Sequence, residues 1–179
     1  MIAVFLGTVL AFAGTPQDTE QVKVAPMSEE AAVGEFENAC VRWVRDPDAL
    51  GQTATRSIRA YVEGPAATSA TGNKMRSWTS RFGTINYIEK SAGHDGKGFR
   101  ECSFTAYTRD PVNRRVLNNE LGSMAARRAA KRLREIEDDR AMAWMWSDQF
   151  DRRTALYSIA DYRTPHQITL SLRSDDRTE

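Results

Sequence analysis

Two residues in this chain could form a covalent bond with each other. Cys40 and Cys102 are its only cysteines. Val33, Phe36, Cys40, Trp43 and Val44 fall on one face of a helix. Cys102 alternates with Phe104 and Ala106, as on one face of a strand. Both sulfurs are therefore expected to point into the core from different elements, where an oxidising compartment would join them. Such a bond closes a loop of roughly 60 residues, worth roughly 4 kcal/mol by chain entropy. Two buried free thiols, or a nucleophilic cysteine activated by a histidine, are the alternatives. Bonding and nucleophilicity exclude each other.

Acid–base chemistry has little to stand on. His94-Asp95 lies in a glycine-rich stretch, and His166 is far from it in sequence. Glu63, Glu89, Glu101, Asp148, Asp151 and Asp161 are available carboxylates, but no spacing pairs them. No nucleophile elbow, phosphate loop, dinucleotide fingerprint or metalloprotease motif occurs. Neither a metal site nor a cofactor is expected from two distant histidines and no clustered cysteines.

Binding chemistry has two candidates. Met142, Trp144 and Trp146 alternate with Ala141, Ala143 and Met145. On a strand this gives one bulky face and one small face. If the small face meets an alanine-rich helix, the two indoles lie on the uncovered side of a sheet, as at interfaces. The plainer reading makes the indoles the core. The other candidate is a basic run in which Arg127, Lys131 and Arg134 would share a helix face able to hold an anionic surface or polymer. Glu135, Glu137, Asp138 and Asp139 follow directly, so a solvated charged face is the plainer reading.

The elements that must position these residues follow from hydrophobic period. Residues 2 to 13 carry no charge, and Ala11-Phe12-Ala13 suits signal peptidase. This run is too short for a membrane span, which needs roughly 20 residues. An export signal cleaved near Ala13 is expected, although Lys and Arg are missing from its start; a buried N-terminal strand or short anchor helix is the alternative. Residues 14–27 are polar and read as a mobile lead-in. Ser28 caps a helix reaching about Arg45, and Asp46-Pro47 stops it. A second helix spans Leu50 to Val62, and residues 64–74 form a loop. A hairpin pairs Phe82–Lys90 with Phe99–Thr108. The longest helix is expected over about residues 117–138, then strands at Ala141–Ser147, Thr154–Tyr162 and Ile168–Arg173. Residues 174–179 read as a frayed tail.

This order predicts a single α+β domain over 28–173. It is a two-layer sandwich, an antiparallel sheet of about five strands with two or three helices on one face. Of 179 residues, 41% are hydrophobic and 27% charged, and the net charge is +1. That balance excludes a disordered chain and argues against nucleic acid as a partner. No transmembrane segment remains once the signal is removed. The expected protein is periplasmic or secreted, and binds a protein, an envelope component or a small ligand through Trp144 and Trp146. Two other functions stay open. One is an exported hydrolase working near His94; the other is a polymer binder using the basic residues 127–134.

Overall fold

The computed structural model describes residues 24–91, 97–128, 131–137, 142–148, 153–159 and 166–177. The expected signal segment, most of the lead-in, His94-Asp95, Asp151 and Asp161 lie outside them. The fold is an α+β sandwich, with helices against one face of an antiparallel sheet.

Helix α1 covers Glu29–Phe36 and continues through a π-helical turn at Glu37–Val41. Ser28 caps it by accepting a hydrogen bond from the Ala31 amide, and Glu29 and Glu30 sit in the first turn beside the positive end of the dipole. The expected apolar stripe is the buried one: Val33, Phe36, Cys40 and Val44 are all buried. Ahead of the cap, the Ala25 amide bonds to the Arg81 carbonyl and the Met27 amide to the Tyr107 carbonyl. Met27 is itself buried, so the fold engages the chain before Ser28.

Asp46-Pro47 has two roles. It ends the first helical segment, and the Asp46 carboxylate caps helix α2, Pro47–Arg56, by accepting from the Ala49 amide at 2.9 Å. This helix is shorter than the spacing to Val62 predicts. Leu50 and Ala54 are buried, but the chain turns extended at Ser57 and leaves Ile58 fully exposed.

The strands are β1 (Val62–Glu63), β2 (Ala67–Thr68), β3 (Lys74–Ser80), β4 (Gly83–Lys90), β5 (Lys97–Tyr107), β6 (Lys131–Glu137), β7 (Met142–Asp148), β8 (Arg153–Ile159) and β9 (Gln167–Arg177). They pair in the order β1-β3-β4-β5-β9-β8-β7-β6, with β2 also on β3. The sheet is thus larger than the expected five strands. Two long strands are additional: β6, and β3, which sequence spacing leaves unassigned, because Trp78 is its one buried residue. The last strand also reaches past the expected frayed end, and Ser174 within it is buried.

Register explains the core. Ile85, Phe104 and Leu170 stand opposite one another in neighbouring strands, as do Tyr87, Cys102 and Leu172. Both rows are buried beneath the helices. On the other face Thr105 and Thr169 share a hydroxyl hydrogen bond at 3.0 Å. One covered face and one polar face produce the alternation visible in the sequence.

Helix α3 runs Arg114–Arg127, with Leu117, Leu121, Met124 and Ala125 buried. It lies alongside α1 in the same direction. Glu29 accepts from the Asn113 amide at one end, and Arg127 pairs with Glu37 at the other. The expected helix over residues 117–138 is therefore corrected: its second half is the strand β6. Continuing the helix would set Arg127 against Lys131 and Arg128 against Arg132, like charges one turn apart. It would also bring Glu135, Glu137 and Asp138 to the negative end of the dipole. Stopping at Arg127 instead leaves two arginines at that end.

Candidate functional site

Cys40, in the π-helical turn, is bonded to Cys102 in the middle of β5, with their Cα atoms 5.2 Å apart. The bond joins the helical layer to the sheet across a sequence separation of 62 residues. Neither sulfur is available as a nucleophile. Disulfides of this buried kind belong to proteins that fold in an oxidising compartment. No described helix is long and apolar enough to cross a membrane.

Beside this staple, α1, the π-helical turn and α2 enclose an open groove of about 820 Å³. Local sequence builds it: small residues (Ala31, Ala49) keep the two helices from filling the space, and Trp43 and Ile58 supply apolar wall. A π-helical turn inserts an additional residue into a helix and recurs at functional sites; here it contributes Asn38 and Ala39 to the lining.

The groove's polar groups are organised around Glu35. Arg59 donates from Nε to Glu35 Oε2 at 2.9 Å, and its guanidinium lies 4.9 Å from the centre of the Phe82 ring. Behind the pair, Tyr61 is buried. Burial first, and then the Glu35 carboxylate, push the Tyr61 phenol well above its ordinary range, so it stays protonated at neutral pH. Arg42 rests over Trp43 at 5.4 Å, and Arg56 completes the rim. Three arginines and one carboxylate thus line the groove, and of the arginines Arg59 is the one bonded to that carboxylate. The set can hold an anion with an apolar body, and it contains no nucleophile paired with a base.

A second polar network stands on the sheet side of α2. Arg76 on β3 bonds Asp48 at 2.8 Å and Glu63 at 2.9 Å, and stacks 5.0 Å over Trp78. Hydrogen bonding to Glu63 is the main reason its guanidinium is even harder to deprotonate than usual. The network ties α2 to β1 and β3.

The residues singled out from sequence are dispersed. Glu63 pairs with Arg76, and Glu89 with Arg100 at 3.5 Å, so each of these two carboxylates meets an arginine. His166 is exposed, and its carbonyl accepts from the Thr108 amide. Among the described residues no His, Cys, Asp and Glu cluster could hold a metal. Arg127 ends α3 and pairs with Glu37, whereas Lys131 and Arg134 belong to β6. The proposed basic helix face of Arg127, Lys131 and Arg134 is thereby overturned, since two of its members are on a strand.

Positions 142, 144 and 146 fall on β7, as expected. Their register runs Met142–Ile159–Leu170, Trp144–Tyr157–Leu172 and Trp146–Ala155–Ser174 across β7, β8 and β9. On β9 these rows lie on the side of the sheet that bears the helices. Leu170, Leu172 and Ser174, their row-mates on β9, are all buried.

The groove residues Glu35 and Arg59, and Tyr61 buried beside Glu35, were not legible as a site. They come from α1, a turn and the approach to β1, and only folding brings them together. The chain matches no protein-family model, no curated protein and no solved structure.

Proposed function

We propose that this is an exported protein that acts by binding rather than by catalysis, and that its binding surface is the β8–β7 part of the sheet bearing Met142, Trp144 and Trp146. The observation that supports the surface is register. Met142, Trp144 and Trp146 stand opposite Ile159, Tyr157 and Ala155, and these rows extend those of the core beyond β9, the strand against which α1 packs. An apolar, aromatic extension of a core surface suits a protein or envelope partner that brings apolar area of its own. The disulfide and the uncharged, export-like residues 2–13 support passage out of a reducing compartment.

Acrylamide quenching tests the surface. Trp78 is fully buried and Trp43 borders the groove, so a Trp43→Phe variant leaves Trp144 and Trp146 as the informative indoles. Strong quenching in the isolated protein, reduced when a partner copurifies, is the expected result. Emission shielded in the free monomer would remove the surface. Export is tested separately by intact mass with and without reductant and alkylator. An uncleaved chain with two alkylated thiols, taken from cells without reductant, would count against it.

A further inference from the structure

We propose that the groove between α1 and α2 is a second binding site, and that it takes a single-chain organic anion of the fatty-carboxylate class. The inference is independent of the sheet surface. Its volume, about 820 Å³, falls in the range of small-molecule sites, which combine apolar walls with a few convergent polar groups. The wall here is Ala31, Ala49, Trp43 and Ile58. Ile58 is fully exposed, an unusual state for isoleucine, at a turn where Ala60 adopts a positive φ of 49°. That turn holds an apolar side chain out at the groove's edge.

Charge selects the ligand's head. Arg59 is matched by Glu35, but Arg42 and Arg56 have no carboxylate partner among the described residues. The groove therefore carries a positive excess that a cationic or neutral ligand would not neutralise. Guanidinium groups bind a carboxylate by charge-assisted hydrogen bonds, and can do so with two bonds at once. The carboxylate is placed at Arg42 and Arg56 on the rim, and the chain runs along Trp43 and the alanines toward Ile58. No bond is made or broken in this binding.

The test uses the oxidised full-length protein and three probes of equal chain length: sodium dodecanoate below its micelle concentration, dodecanol and dodecyltrimethylammonium. Binding is read by calorimetry and by Trp emission. Saturable binding of dodecanoate is expected, with the other two at least roughly tenfold weaker, or about 1.4 kcal/mol. The double variant Arg42→Glu/Arg56→Glu should lose dodecanoate binding by a similar factor while keeping its circular dichroism. If that variant does not fold, Arg42→Gln/Arg56→Gln serves instead, since both side chains are solvent-facing. Equal affinity for the cationic probe, no saturation by dodecanoate, or binding unchanged in the double variant would each overturn the proposal. So would association with anionic phosphatidylglycerol vesicles without any binding of monomeric dodecanoate, which would make the arginines a membrane-docking surface instead.

Discussion

At the scale of single residues, Tyr61 and Gly83 carry the sharpest consequences. Tyr61 is buried beside Glu35, which favours its neutral form in the folded state. The unfolded chain ionises this phenol near its ordinary value of about 10. The contribution to stability is thus complete below about pH 10 and lost as pH rises from there toward the raised folded value. Urea unfolding of wild type and Tyr61→Phe between pH 8 and 11 should show a constant difference at first. Above about pH 10 that difference should shift against wild type by up to about 1.4 kcal/mol per pH unit. Parallel curves throughout would mean that the phenol titrates normally. Gly83 opens β4, and a Cβ there would come within 2.3 Å of the Thr105 carbonyl on β5. No side-chain rotation relieves a clash with backbone, so Gly83→Ala should cost roughly 3 kcal/mol or more. A midpoint within error of wild type would show that the two strands can separate at this point.

At the scale of elements, the question is what holds the helical layer on the sheet. Beyond apolar burial, two specific bonds do so: the Cys40–Cys102 disulfide, and Arg76 with Asp48 of α2, supported by Glu63. Replacing both cysteines by alanine should lower stability by roughly 2–5 kcal/mol. Arg76→Met keeps the length of the side chain but removes both ion pairs. These pairs are partly solvent-exposed, so about 1–2 kcal/mol is expected, measured as a shift in urea midpoint. A larger loss from Arg76→Met than from the cysteine double variant would reverse this ranking. The same scale shows how far the elements were readable. The cap at Ser28, the helix stop at Asp46-Pro47, the helical stripe through Cys40 and the alternation around Cys102 all follow from local sequence. Strand β3 does not, because its covered face includes Arg76, made tolerable there by carboxylates from α2 and β1.

At the scale of the whole molecule, the sheet ends in β6, which has only β7 beside it among the described residues. Edge strands invite pairing with other chains, and charge is a common protection. Five of the seven residues of β6 are charged: Lys131, Arg132, Arg134, Glu135 and Glu137. Threonine at Arg132, Arg134 and Glu135 together should promote concentration-dependent association, seen by light scattering. A variant that stays monomeric at the highest soluble concentration would show that charge is not what guards this edge.

Sequence by itself pointed to the pairing of the two sulfurs and determined the start of the first helix and the two-layer class of the fold. These depend on short-range chemistry: a cap reaches three residues, and an amphipathic period is written within one element. Only tertiary structure decided that residues 131–137 form a strand, that positions 142, 144 and 146 stand in register with Ile159, Tyr157 and Ala155, and that Glu35 meets Arg59. For β6 the reason is specific. A register shift between Arg132 and Arg134 breaks the alternation and sets Leu133 and Ile136 three residues apart, the spacing of a helix. Pairing with β7 selects the extended form, and that partner lies beyond the reach of any local pattern.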